Sequence, residues 1–345
     1  MSFCYFLFRG KTTSPWHVGK RQYSDYLYTR DDYLWGRGVR GPVLRLLWRM
    51  FCSKSDARDR VEFSPEKDCV VCGMVEGCPF ANLVGTDDEG EFKDKPRLII
   101  TNLCFVGDVR KDRVALATLS DRFLGVVEEK APVFVEYLVE GAVFEFEAIL
   151  MGEGAKFADH FENAVKTSLR FFGWGGFCNE GFGRGTIDNV ERIDSFERFN
   201  REKIEPYAEK IREAILGEGK LSFKISPLLI VDKDGDGVYK GVSEDGFREK
   251  FCNCIGERFW QFYNVKVYPQ NFVAGFSGRV RTMTIFAWSR RLKRKGKLPF
   301  EGLGGELTFH FRDKEKLGVD VAKAFALMKY GVGRFKNQGF GSLRL

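Results

Sequence analysis

Apolar residues alternate with polar ones in some stretches of the chain and recur every three or four positions in others, which predicts strands and helices in turn. Phe3 to Phe8 reads as a short strand. Pro42 to Phe51 predicts a helix with Val43, Leu46, Leu47, Met50 and Phe51 on one face, Arg45 and Arg49 on the other, and Pro42 in its first turn. Arg97 to Cys104 reads as a strand. Phe144, Phe146, Ala148 and Leu150 alternate with Glu145, Glu147 and Ile149, the pattern of a half-buried strand. Phe157, Phe161, Ala164, Val165, Ser168, Leu169 and Phe172 share one face of a helix expected over 155–172, and Thr186 to Ile193 is extended again. The order is β-α-β-β-α-β.

The later residues repeat that order. Leu221, Phe223 and Ile225 alternate with Ser222, Lys224 and Ser226; a helix covers about 244–262; strands lie near 265–289; Leu307, Phe309 and Phe311 mark another. Val321, Ala322, Phe325 and Met328 then take helical spacing before an extended end at Ser342 to Leu345. The expected fold class is therefore α+β, with tandem ferredoxin-like (βαββαβ, RRM-like) domains. They would span 1–194, with a Cys-rich insertion at about 52–95, and 219–345. A charged linker helix at 195–218, interrupted at Pro206, would join them.

Glycines tie the two halves together. Gly173-Trp174-Gly175 leads to Gly181-Phe182-Gly183, and Gly331-Val332-Gly333 leads to Gly339-Phe340-Gly341. Both copies read G-x-G-x5-G-F-G after a helix, and a duplicated domain explains the wide spacing better than a solenoid does. A dinucleotide fingerprint needs the glycines between a strand and a following helix, and a Walker loop needs G-K-[ST]. Neither copy meets either requirement. Here the expected role is close approach of a polyanion to bare backbone, helped by Arg184, Arg334 and Lys336; the bland alternative is a helix cap and turn.

Composition narrows the function. The 345 residues carry 55 Lys plus Arg against 48 Asp plus Glu, a net charge of +7. This matters only where it is concentrated. Arg279, Arg281, Arg290, Arg291, Lys293, Arg294, Lys295 and Lys297 crowd one stretch, with Phe286 and Trp288 among them. Lys20, Arg21, Arg30, Arg37, Arg40, Arg45 and Arg49 share another with Tyr23, Tyr26, Tyr28, Tyr33 and Trp35. Cations beside aromatics neutralise phosphate and stack bases, so single-stranded nucleic acid is the expected partner. No signal peptide or bilayer-length apolar run appears, so no membrane partner is expected. With nine scattered cysteines, reduced thiols in a cytoplasm are the expectation.

Cys69, Cys72 and Cys78, with Cys52 upstream, have spacing compatible with one structural zinc ion; packed thiols are the alternative. Of the three histidines, His160 reads as a surface residue and His310 falls on the polar face of a strand. His17 lies in a basic, glycine-containing loop. RNA self-cleavage needs a base on the 2′-hydroxyl, an acid on the leaving oxygen and a cation on the phosphorane, with no cofactor required. His17, Lys20 and Tyr23 are a candidate set; a structural role for His17 in its turn is the alternative.

The closing run from Gly331 to Gly341 resembles the terminal glycine-rich loop of the RAMP superfamily of CRISPR-associated proteins, in particular its precursor-crRNA-processing endoribonuclease branch. Ser277-Gly278-Arg279 with Gly302-Leu303-Gly304-Gly305, and Cys78-Pro79-Phe80 before Pro96-Arg97, are similar to the same branch. That resemblance implies a metal-independent hydrolase of antiviral defence. It would cut repeat RNA by 2′-hydroxyl attack, leaving a cyclic phosphate, with a catalytic His near the N-terminus. Its RNA-binding residues would be Gly173, Gly175, Gly181, Gly183, Arg184, Arg279, Arg281, Arg290, Arg291, Gly331, Gly333, Arg334, Lys336, Gly339 and Gly341. His17-Val18-Gly19, Gly36-Arg37-Gly38-Val39-Arg40-Gly41 and Leu44-Arg45 also look like subunits of type III effector complexes, implying crRNA and other effector subunits as partners. There an Asp after the first strand cleaves target RNA, which would point to Asp25.

Overall fold

The structure is a computed structural model, and it describes residues 2–23, 26–52, 69, 72–74, 76–85, 95–116, 119–121, 126–127, 133–234, 237–288 and 297–345. The strands of the first half are β1 (Phe3–Thr12), β2 (Gly19–Tyr23), β3 (Tyr26–Thr29), β4 (Tyr33–Leu34), β5 (Leu98–Ile100), β6 (Leu103–Val106), β7 (Lys111–Leu116), β8 (Leu119–Asp121), β9 (Val126–Val127), β10 (Val133–Leu138), β11 (Val143–Met151) and β12 (Gly185–Ile193). Its helices are α1 (Gly36–Phe51), α2 (Pro79–Val84) and α3 (Ala158–Thr167). In the principal sheet β12, β1 and β11 are neighbours, β5 and β6 both pair with β11, and every pairing is antiparallel. Counting only the repeat's four strands, that is the order fourth, first, third, second: the ferredoxin-like arrangement.

The second half repeats it. After α4 (Phe196–Phe199) and α5 (Glu205–Glu218) come β13 (Lys220–Leu229), α6 (Phe247–Tyr263), β14 (Val273–Ser277), β15 (Val280–Trp288), β16 (Lys297–Phe311), α7 (Val319–Ala326) and β17 (Ser342–Arg344). Here β17, β13 and β16 are neighbours in that order, and β14 and β15 both pair with β16. Strand order thus establishes the tandem ferredoxin-like α+β fold.

Alternation along β1 explains how the halves share a core. Cys4, Phe6 and Phe8 pack under α1 and α3 with Phe146, Phe161 and Trp174. Phe3, Tyr5 and Leu7 point the other way, into a cluster that continues through Phe199, Ile204 and Ile211 to Phe223, Phe259 and Met328 of the second half. Burying both faces of one strand commits the linker and the second domain to the same hydrophobic mass. A polar cluster fixes the orientation. Tyr330 Oη donates to Glu147 Oε2 at 2.7 Å and Lys329 Nζ lies 3.4 Å away. Burial acts to raise the Glu147 carboxyl, but Lys329, Tyr330 and Arg344 outweigh it and hold it below the ordinary carboxylate value.

Three expectations need correction. First, α1 begins at Gly36, so Pro42 lies inside it and not in its first turn. The glycine is required there because a Cβ on Gly36 would sit 2.6 Å from the Ile100 carbonyl oxygen. Second, the strand expected over Arg97 to Cys104 breaks at Thr101 and Asn102. Thr101 Oγ1 bonds the Glu147 backbone, and Asn102 accepts from the Gly36 amide and donates to Ser226. Third, Phe172 is exposed: residues 168–172 form a π-helical turn, and its extra residue per turn rotates Phe172 off the buried face. Beyond what the sequence predicts, β2, β3, β7 and β10 form a second, four-stranded sheet in the order β2-β3-β10-β7.

The two glycine loops have the same backbone. Phe177 and Phe335 take φ of 59° and 58°, and Gly181 and Gly339 take 87° and 86°. Their surroundings differ. A Cβ at Gly181 meets nothing within 4 Å, whereas at Gly339 it would collide with Asn102 Oδ1 and lie 2.8 Å from the Gly36 amide nitrogen, both in the first half. Alanine pays the same left-handed backbone cost at both sites, on the order of 1 kcal/mol. Gly339→Ala is therefore expected to lower stability by at least about 1 kcal/mol more than Gly181→Ala, because it also wedges the halves apart. Urea denaturation of the two variants measures the difference; equal losses would contradict the docking.

Candidate nucleic-acid interface

The second glycine loop is built from the inside. Arg258 of α6 is fully buried and donates through Nε to the Gly331 carbonyl at 2.6 Å and through Nη2 to the Tyr330 carbonyl at 2.9 Å. Its Nη1 reaches Gln261 Oε1 and Asn337 Oδ1, both at 3.0 Å. A cation at these helix-end carbonyls satisfies the orphaned acceptors and the dipole together. Burial pushes the Arg258 guanidinium down to about 9. Lys336 is buried too, with its ammonium 2.6 Å from Glu257; burial and Arg258 lower it, against Glu257.

The second loop is packed largely against the protein itself. Gly331, Gly339 and Gly341 are buried, and Gly331, Gly333, Gly339 and Gly341 all lie against the chain's own atoms. Their lack of side chains admits protein, and Lys336 is committed to Glu257. The first loop is only partly like this: Gly173 and Gly183 are buried against the chain's own backbone, while Gly175, Gly181 and Arg184 reach the surface.

What the second loop does present is Arg334 and Phe335, at the seam between the halves. Trp35 meets Phe340 at 6.0 Å, and Phe300 meets Phe335 at 5.1 Å and Phe340 at 5.4 Å. Three guanidiniums lie over this cluster. Arg30 stands 5.0 Å from the Tyr33 ring and 5.7 Å from Trp35, Arg37 is 5.3 Å from Phe300, and Arg334 is 5.1 Å from Phe335. Arg334 also faces Asp232 at 3.5 Å. Arg281 alternates with Met283 and Ile285, which pack into the same cluster, so it projects on the seam side of β15; Arg279 and Arg281 are exposed. Arg290, Arg291, Lys293, Arg294 and Lys295 lie outside the described residues, as does Asp25. Arginines this close to aromatic rings bring charge for phosphate and a planar group for bases to one place.

His17 lies beside the first loop, where its carbonyl accepts from the Gly176 amide at 2.9 Å. Ile230 does the same for Arg334 at 2.8 Å, so the two residues occupy corresponding places in the repeat. His17 is 6% exposed and its ring meets Phe177 edge-on at 5.2 Å. Nδ1 is 2.8 Å from the Glu136 carbonyl oxygen. A carbonyl only accepts, so Nδ1 carries the proton and Nε2 the lone pair. Burial lowers the His17 pKa, opposed by the Glu136 backbone and carboxylate. The seam is one step away: the Val18 carbonyl accepts from the Arg30 amide at 2.7 Å and Arg30 Nε donates to the Gly19 carbonyl at 3.2 Å.

The other candidates are dispersed. Lys20 is exposed, near enough to Asp31 to help hold its carboxyl down. Tyr23 ends the extended β2, roughly 13 Å of strand beyond Gly19, so the structure does not join it to His17. Among the described residues, no group of three or more His, Cys, Asp or Glu side chains is placed to hold a metal ion. Cys69 and Cys78 pack against the core of the first half. His310 Nε2 is 2.6 Å from Ser277 Oγ, and His160 packs edge-on to Phe51 and Phe157. No described helix is long and apolar enough to cross a membrane. Trp35 was already among the aromatics of the N-terminal basic stretch, whereas the sequence missed Phe300 as its neighbour across the seam; the Arg334-Phe335 pair was the available signal.

No protein-family model matches the sequence, and no curated protein matches it. Among solved structures the chain is similar to a Cas6 product complex, at 11% identity and a TM-score of 0.43, covering 100% of this chain and 99% of that one. It is similar to Thermus thermophilus Cas6 at 12% identity and a TM-score of 0.39, covering 99% and 97%. It also matches a chain of the Type III-B Cmr-beta bound to cognate target RNA, at 11% identity and a TM-score of 0.36, covering 56% of this chain and 61% of that one. These values describe chain path in outline and say nothing of function.

The His17 environment has a pH signature. Its folded pKa lies below the ordinary 6.5, so below that pH the unfolded chain binds the extra proton more readily. Its contribution to stability is full above 6.5 and is lost as pH falls through 6.5 toward the folded value. The native protein should therefore lose more stability between pH 7.5 and 5 than His17→Asn, whose amide still donates to the Glu136 carbonyl. Denaturation at both pH values checks this, and identical losses would contradict it.

Proposed function

We propose that the chain is a CRISPR-associated RNA-binding protein that holds the repeat-derived part of a transcript along the seam between its two halves. One observation carries the reading: Arg30, Arg37 and Arg334 lie over Tyr33, Trp35, Phe300 and Phe335 where the two domains meet. Phosphates would pair with the guanidiniums and with Arg279 and Arg281, while bases stack on the guanidinium planes and on the partly exposed rings of Tyr33, Trp35 and Phe335. The sequence resemblance to the processing branch supports this choice of RNA over duplex DNA.

As a processing nuclease the protein would use His17 as base. Nε2 would take the proton of a 2′-hydroxyl, the oxygen would attack the adjacent phosphorus, and the bond to the 5′-oxygen would break to leave a 2′,3′-cyclic phosphate. The departing oxygen would take its proton from water, and Lys20 would offset charge on the phosphorane. A lowered pKa keeps the imidazole neutral near pH 7, as a base must be. A second reading, an effector subunit that holds RNA without cutting it, is favoured by the 6% exposure of His17 and by its repeat counterpart being the packing residue Ile230.

Combining Arg30→Ala, Arg37→Ala and Arg334→Ala should weaken binding of single-stranded repeat RNA at least tenfold and reduce the salt slope of log Kd by about two. Fluorescence anisotropy over a salt series measures both, and an unchanged Kd would remove the seam from the account. Incubation with repeat RNA in EDTA separates the two chemistries: size-defined products lost in His17→Ala support the nuclease, and stable binding without products supports the subunit.

A further inference from the structure

The second sheet carries a feature that neither the seam nor His17 uses. Tyr23 on β2 pairs with Tyr26 on β3, and Tyr26 pairs with Phe134 on β10. Directly paired residues on neighbouring strands share a face, so the three rings form one row across three strands. Tyr26 and Phe134 stack at 4.8 Å with their planes 13° apart, and Tyr28, two residues along β3, lies 6.4 Å from Tyr26. The row is open: Tyr23 is 76% exposed and Tyr26 38%. It ends on β7 at Ala115, which is exposed and too small to cover Phe134.

The charges beside the row are two carboxylates, Glu136 and Asp31, and two cations, Lys111 and Arg113, and they differ in how firmly they are paired. Glu136, two residues after Phe134, accepts from the Thr29 amide and sits 3.6 Å from Lys111. Asp31 is held by Lys111 at 2.7 Å. Asp112 falls on the opposite face by alternation, where it accepts from Tyr137. Arg113, paired across from Glu136 on the aromatic face, reaches that carboxylate only at 4.0 Å and keeps its side chain 60% exposed, so it can still turn to a phosphate. The sheet is also continuous with the first glycine loop, since Tyr137 on its other face meets Phe182 edge-on at 5.8 Å.

We propose that the outer face of this sheet is a stacking platform for single-stranded RNA, with Tyr23 and Tyr26 taking successive bases and Arg113 an adjoining phosphate. Exposed aromatics in a row on a sheet, flanked by a guanidinium, suit unpaired bases; duplex DNA hides its base faces. Tyr23 is thereby reassigned from proton transfer to stacking. The inference rests on the RNA-binding reading and extends it to a second surface.

The test uses the full chain and a fluorescently labelled single-stranded RNA long enough to pass the seam, with a shorter RNA confined to it. Combining Tyr23→Ala with Tyr26→Ala should raise Kd for the long RNA about tenfold, leave the short RNA unaffected, and be rescued by Tyr23→Phe with Tyr26→Phe. The exposure of both rings makes an unchanged thermal unfolding profile the expected control. An unchanged Kd for the long RNA would overturn the platform. So would a variant that alters sedimentation of the RNA-free protein and not RNA affinity, since the row would then be a contact between copies of this chain. Failure of the unaltered protein to bind either RNA would instead remove the underlying reading, and the platform with it.

Discussion

The close approach of Gly339 to Gly36 and Asn102 is the contact on which the rest of the molecule depends. It brings the last loop of the second domain against the first turn of α1 in the first, with Arg258 bracing the loop from behind. Only there can Phe340 reach Trp35 and Arg37 reach Phe300. The seam exists because the Gly36 and Gly339 backbones pass closely, with only the Asn102 amide at their junction, and the Glu147 cluster and the shared core of β1 also join the two halves.

A duplicated motif has been put to two uses. Each loop turns back on the chain near the end of the first strand of its own domain: Gly183 donates to the Pro15 carbonyl, just past β1, at 2.8 Å and Gly341 to the Leu228 carbonyl, at the end of β13, at 2.7 Å. That bracing is common to both halves. The second loop spends its tip on the domain interface, whereas the first leaves its tip open at Gly175 and Gly181 and places His17 beside it. Repetition of the glycines therefore signals a shared architectural job, and the chemical difference lies in what surrounds each copy.

The tandem ferredoxin-like plan was legible because local periodicity encodes it: β1, β11, β13 and the helices between them obey it almost residue by residue. The accessory sheet was not, because its strands find partners far away in the chain, Tyr26 with Phe134 for example, and residues 13–34 read alone as a polar, tyrosine-rich loop. The role of the glycines was half legible. Sequence shows that a backbone must be approached closely; it does not show that the approaching atoms belong to the same chain. The seam was least visible, since it joins Arg30 to Phe340 by packing across domains that no periodicity describes.

Ultraviolet cross-linking of the full chain to a 4-thiouridine-substituted repeat RNA, followed by mass spectrometry of the linked peptides, tests the central claim most directly. The account predicts adducts on Trp35, Phe300 or Phe335 and on peptides next to them. Adducts confined to the solvent face of α5, or to any surface that omits the junction of the two domains, would contradict it.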